Sequence, residues 1–274
     1  WSDKNDQKEE KETPTKALEL RRLLDTYHDT SLVADYDLVW ENIGNSDRYI
    51  AYSARIALEN HGVEIWASRI HSDTEFNKKV EYALAVARSN NHVLQQHLFD
   101  LLSQVESTPL TPSAQLSILR AEALLIIRNN NLNTDILENQ WLPIFPSKDQ
   151  FINEELAALF SKTQHSIWVE KIMTLWSEID EEHLKILISD SLAERSEMYG
   201  PAVKAMRKRR PRSYKIALTS ALSHYKVGWN TTLRNEYFNG FNEFWDREGG
   251  NSYRGYLLKI LSNALDHVPK AERS

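Results

Sequence analysis

The run N-S-D-R-Y-I-A-Y-S-A-R-I-A-L-E, Asn45 to Glu59, decides the fold. It opens with Asn45, Ser46 and Asp47, each able to cap a helix. It then sets Ile50, Ala54, Ala57 and Leu58 at the three- and four-residue spacing of one helical face. His61-Gly62 ends the pattern with a residue suited to a helix C-terminus. Nothing in it alternates with the period of two that a half-buried strand needs.

The same grammar extends outward in both directions. Upstream, Thr13-Pro14 puts a capping hydroxyl before a first-turn proline, and Ala17, Leu20, Leu23, Leu24 and Tyr27 share a face. Val33, Tyr36, Val39, Trp40 and Ile43 make a second stripe, ended by Gly44. Downstream, Ile65, Trp66 and Ile70 mark a short piece, and Asp73 or Thr74 opens a helix through Phe76, Val80, Ala83, Leu84 and Ala87. Val93 to Leu102 form another. Thr111-Pro112 repeats the proline start before Leu116, Leu119, Ala123, Leu124 and Ile127. Ser147 with Gln150 three residues on reads as a capping box, and Asp180-Glu181-Glu182 sets negative charge at a helix start. The core is expected to contain Trp40, Ile50, Ala54, Leu58, Leu84, Leu124 and Ile127. No strand is predicted.

These helices, joined by short connections, predict an all-α protein. Its expected architecture is a HEAT- or armadillo-like α-solenoid of stacked antiparallel helix pairs, irregular toward the C-terminus. Stripe centres recur near every 40 residues in the first half, the spacing of two-helix repeats. The alternative is an irregular all-α domain. Residues 1–12, with eight charges and no apolar face, read as a linker or disordered lead-in. Residues 13–130 read as the HEAT-like repeats and 131–270 as their irregular continuation.

Composition excludes several classes. With 274 residues and no cysteine, the chain has no disulfide scaffold, thiolate metal site, c-type haem attachment or cysteine nucleophile. Eight glycines and eight prolines are few for a turn-rich β protein. A net charge of −6 argues against general nucleic-acid binding. No apolar run approaches the roughly 18 residues of a membrane span. The chain opens at Trp1 without methionine, so its true start is expected elsewhere.

Asn45–Glu59 resembles the D-P-D-R-F-V-R-Y-A-A-R-V-A-L-E signature of the HEAT-repeat region in large multidomain proteins of planctomycetes and verrucomicrobia. Leu20–Asp29, L-R-R-L-L-D-T-Y-H-D, is similar to the helix that precedes that signature. Trp141–Phe160, W-L-P-I-F-P-S-K-D-Q-F-I-N-E-E-L-A-A-L-F, resembles the family's following segment. Gly228–Phe241 and Gly249–Leu257 resemble its closing motifs, so the likeness spans about residues 18–268. Where HEAT repeats carry an arginine after the apolar residue, this chain has Ala51. The arginine ladder between repeats is therefore expected to be incomplete. The resemblance implies a sugar-dehydrogenase-like β-propeller before this region and a c-type cytochrome domain after it, in a periplasmic or secreted protein. Haem is implied only for that downstream domain.

The candidate sites are few. Lys204, Arg207, Lys208, Arg209, Arg210, Arg212 and Lys215 put seven cations into twelve residues, broken by Pro211. Three readings stay open for this run: a solvated or internally paired face, an acidic-partner surface led by Arg207 to Arg212, or a phosphate track. Gly249, Gly250 and Ser252 read as a structural turn and helix cap rather than a nucleophile elbow, because Arg254 stands where G-x-S-x-G needs glycine. Asp180 and His183 have di-metal spacing but lack the second pair such a site requires, and no H-x-x-x-H pair supports a metal. Tryptophans in the apolar stripes read as packing residues. The functional expectation is a non-catalytic scaffold and protein-docking domain without catalytic, cofactor or metal residues. The competing expectation is a carbohydrate-binding or enzymatic site in the concave groove.

Overall fold

The computed structural model describes residues 15–71, 74–179, 193–209, 213–245, 247 and 252–272. Among the described residues there are fourteen α-helices and no strand. The chain divides into two compact units, one of residues 1–105 and 121–133, the other of 106–120 and 134–274.

In the first unit, α1 (Lys16–Thr26) begins after Thr15, whose Oγ1 accepts the Leu18 amide at 3.3 Å. Thr13 and Pro14, read as its start, lie outside the described residues. Helix α2 (Tyr36–Asn42) is capped by Asp35, which accepts the Leu38 amide at 3.1 Å. That cap leaves Val33 in the preceding turn, 92% exposed rather than in the stripe. Of the three cap candidates for α3 (Arg48–Asn60), Asp47 makes the bond, to the Tyr49 amide at 2.8 Å. Ile50, Ala54, Ala57 and Leu58 are buried as expected. A 3₁₀ turn, Val63–Arg69, leads to α4 (Phe76–Ala87) and α5 (His92–Ser103). Glu75 stands at the N-cap of α4 without a side-chain bond, while Thr74 Oγ1 accepts the His71 amide instead. Helices α1, α2 and α4 pack on α3, and α5 packs on α4. Trp66 is fully buried at the centre, stacked on Trp40 at 6.1 Å and edge-on to Tyr36 at 5.2 Å. Trp40 and Leu84 are only half-buried; the Lys78 ammonium lies over the Trp40 ring at 5.8 Å.

Helix α6 (Pro112–Arg128) starts as predicted, with Thr111 Oγ1 accepting the Ala114 amide at 3.3 Å. Its buried face is rotated by about one residue. Ile118, Leu119, Ala121, Leu125 and Ile126 are inside, Leu124 is half-buried and Ile127 is 61% exposed. The four consecutive apolar residues Leu124–Ile127 fit either face, so periodicity does not choose between them. Leu125→Ala is therefore expected to lose about 2–5 kcal/mol in a denaturant titration. Leu124→Ala should lose clearly less.

The second unit contains α7 (Ile136–Trp141), α8 (Gln150–Thr163), α9 (Ile167–Glu178), α10 (Gly200–Arg209), α11 (Ser213–Leu222), α12 (Thr231–Gly240), α13 (Asn242–Trp245) and α14 (Tyr253–Asp266). The predicted capping box at Ser147 and Gln150 is not made. Asp149 caps α8 through the Phe151 amide at 2.9 Å, and Ser147 exchanges two 2.8 Å bonds with the Asn153 side chain. Gln150 is the first helical residue because Asp149 takes the N-cap, while the Ser147 hydroxyl accepts the Asp149 amide at 3.1 Å. Helices α8, α9 and α14 pack on α11, and α12 packs on α9. Trp168, fully buried, stacks on Phe160 at 3.9 Å and meets Phe145 edge-on at 4.9 Å.

Candidate functional site

The basic run is not one outward face. Lys204 is exposed on α10, whereas Lys215 is 5% exposed. Its Nζ lies 3.2 Å from Glu243 Oε2 and 4.4 Å above the Trp176 ring. Lys215 sits in the first turn of α11, and the helix directs it inward. Arg207, Lys208 and Arg209 lie on α10; Arg210 and Arg212 fall outside the described residues, as do Asp180 and His183. Gly249 and Gly250 fall outside them too. Ser252 occupies the N-cap position of α14, but with helical dihedrals (φ −85°, ψ −9°) and no side-chain cap bond. The hydroxyl bond expected there is absent because a helical backbone at the cap turns the side chain away from the first-turn amides. Tyr253, the first residue of α14, donates its hydroxyl to the Phe244 carbonyl at 3.0 Å.

Two clusters resemble catalytic arrangements and resolve into helix ties. Ser53 donates to Asp25 Oδ1 at 2.6 Å, while His28 Nε2 bonds the Ser53 carbonyl at 2.9 Å. The serine proton goes to the carboxylate rather than to the imidazole, which is the wrong order for activating a nucleophile. His165, with its side chain 10% exposed, bonds Glu138 through Nδ1 at 2.7 Å and faces Thr134 Oγ1 at 3.5 Å. The carboxylate holds this imidazole firmly and the hydroxyl stands at the limit of a hydrogen bond. Both clusters join residues about 30 apart in sequence, which motif spacing does not reveal.

Arg55 ties α3 to α4 through carboxylates. Its guanidinium reaches Glu59 at 3.4 Å on its own helix and Glu81 at 3.1 Å on α4, and Arg88 returns to Glu59 at 2.9 Å. Burial pushes the Glu81 carboxyl above its ordinary range, against the opposing pull of Arg55. Ala51 itself is packed in the core.

A cleft lies at the ends of α11, α12 and α14, lined by Tyr225, Trp229, Arg234, Tyr237, Phe238 and His267 among others. Arg234, with its side chain 12% exposed, lies 6.0 Å from the Trp229 ring and 3.4 Å from Glu272 Oε2. It is Nε that faces Glu272, as an ion pair rather than a hydrogen bond, and the Tyr225 hydroxyl has no hydrogen-bond partner among the described residues. Burial raises the Tyr225 phenol well above its ordinary value. The free volume is about 10 Å³, room for about one water molecule. Sequence reading placed Trp229, Arg234, Tyr237 and Phe238 in a closing motif but gave them no site role. The i, i+3, i+4 spacing of Arg234, Tyr237 and Phe238 is the signal that puts them on one face.

Compared with protein families, curated proteins and solved structures, the chain matches none. Among the described residues no three His, Asp or Glu side chains are placed to hold a metal. No described helix is long and apolar enough to cross a membrane. The tryptophans are largely structural: Trp66, Trp141 and Trp168 are fully buried and Trp176 nearly so.

His224, beside this cleft, has its pKa lowered by burial and then by Lys162, His267 and Lys259. A depressed folded-state pKa gives stability that is present above the unfolded value of 6.5 and lost as pH falls through the folded value. Relative to the parent, His224→Gln should therefore gain in melting temperature as pH is lowered from about 7.5 to about 5. A pH-independent difference would show that the histidine titrates alike in both states.

Proposed function

We propose that the chain is a non-catalytic HEAT-type α-solenoid, a spacer and docking domain within a larger exported protein. In this reading it links a dehydrogenase-like propeller to an electron-transferring haem domain, and haem belongs to the downstream domain alone. The observation that carries the reading is the Arg55–Glu59–Glu81–Arg88 ladder between α3 and α4, in a unit where α2, α3, α4 and α5 pack in chain order. Nearest-neighbour stacking cross-linked by side-chain ladders is how a repeat array transmits rigidity along its length. The motifs at Asn45–Glu59, Trp141–Phe160 and Gly228–Phe241 support the same assignment.

The test is made in the full-length polypeptide. Replacing residues 13–270 by a Gly/Ser linker should leave substrate oxidation with a soluble electron acceptor intact. Reduction of the protein's own haem should fall by at least tenfold, because a flexible chain spreads the inter-domain distance. Unchanged haem reduction, or a polypeptide without haem, would overturn the reading.

A further inference from the structure

Helix α14 is apolar on two faces, and one of them stays exposed. Its sequence runs in apolar doublets, Leu257-Leu258, Ile260-Leu261 and Ala264-Leu265. The first residue of each doublet is buried, on a helix that packs against α11. The second residues face outward: Leu258 is 57% exposed, Leu265 is 46% exposed and Leu261 is half-buried between them. A surface helix with one partner carries one apolar stripe and a polar outer side. Single exposed leucines are ordinary, whereas three on one stripe mark a contact face.

Arg254, Leu258, Leu261 and Leu265 follow one another at steps of four, three and four residues, the d-a-d-a spacing of a coiled-coil seam. Read in reverse, the spacing is the same. Against an antiparallel copy of α14, Leu258 therefore meets the copy's Leu261, and Arg254 meets its Leu265. Asp266, exposed like Arg254, follows Leu265, so each guanidinium also reaches a carboxylate. It lies at the C-terminal end of the opposing helix as well, where positive charge is favoured. Beside the seam stand the small residues Gly255 and Ser262, and a Cβ on Gly255 would meet nothing within 4 Å.

We propose that two copies of this chain associate through α14, antiparallel about a two-fold axis that passes between Leu258 and Leu261. A two-fold interface must be complementary to itself, and this stripe is so in both shape and charge: the reversed helix brings an acid to the arginine at each end of the leucine seam. Four layers bury less than the roughly 1,200 Å² of a standard interface, so the pair is weak and exchanges freely. The association is independent of the spacer role proposed above.

The experiment is sedimentation velocity on the whole chain, which should pass from monomer at about 1 µM to mostly dimer at about 200 µM, as a small interface predicts. Arg254→Glu sets like charges against each other at both ends of the seam and should leave a monomer throughout. Asp266→Arg should do the same. Mixed in equal amounts, these two variants should regain the parent's dimer, because opposite charges again face each other at both ends. Leu258→Ser, an uncharged change at an exposed position, should lower the association at least tenfold. Melting curves for each variant establish that the fold is retained. A parent that stays monomeric at the highest concentration overturns the proposal. So does a dimer left unchanged by Arg254→Glu or Leu258→Ser, or an equal mixture of the two charge variants that stays monomeric.

Discussion

Gly228→Ala is expected to destabilise the second unit by about 3 kcal/mol or more. Two costs act together. Gly228 has φ +83°, a conformation in which a side chain is strained by roughly 1–2 kcal/mol. A Cβ there would also lie 2.3 Å from the Ser166 carbonyl oxygen and 3.0 Å from its carbon. Those are backbone atoms, and overpacking against a fixed neighbour costs a further ~1–3 kcal/mol. The neighbour is fixed because Gln164, in the left-handed conformation at φ 61°, bonds the His224 carbonyl at 3.0 Å and the Lys226 amide at 2.8 Å. The 164–166 turn and the 224–228 loop therefore move as one piece. Urea unfolding followed by tryptophan fluorescence measures the effect. A loss below about 1 kcal/mol would show that the loop can lift off the turn without consequence.

Trp168→Ala should cost a comparable ~3–5 kcal/mol. The indole is fully buried between Phe160 and Phe145, and its Nε1 has no hydrogen-bond partner. The loss is thus one of packing, apolar burial and ring stacking, the last worth about 0.5–1.5 kcal/mol per aromatic pair. Trp168→Phe should recover most of it, since Phe keeps the stacking surface and no donor is forfeited. A Phe variant as unstable as the Ala variant would mean that the indole nitrogen does bond something in solution.

Much of the local structure was legible because capping is local chemistry. Thr111 was read directly and Asp47 as one of three adjoining candidates, both from side chains that reach an amide two or three residues on, and the His61-Gly62 terminus from the backbone freedom of glycine. The misreadings have one physical cause. Where several acceptors adjoin, as at Ser147 and Asp149, or several apolar residues run together, as at Leu124–Ile127, local rules permit two answers and packing selects one. The candidate site was less legible. Tyr225 and Arg234 line one cleft and Glu272 reaches Arg234 from the 3₁₀ turn Lys270–Glu272, and nothing in their individual sequence settings marks them. Arg55 is a further case: its partner Glu81 lies 26 residues on and in another helix, so the pair is not visible from local spacing.

The packing of α8 on α11 has a consequence for synthesis. From the end of α8 at Thr163 to the end of α11 at Leu222, the ribosome must add 59 residues. At roughly 5–20 residues per second that is a wait of about 3–12 s. During it Leu156 and Phe160, both fully buried in the finished fold, lack part of their cover. In the first unit, α2, α3, α4 and α5 each meet a partner next in line, so each helix can settle almost as soon as it emerges. The nascent chain is therefore most exposed to chaperone capture and to aggregation while α9 and α10 are being made, and translational pausing before Ser213 would lengthen that window.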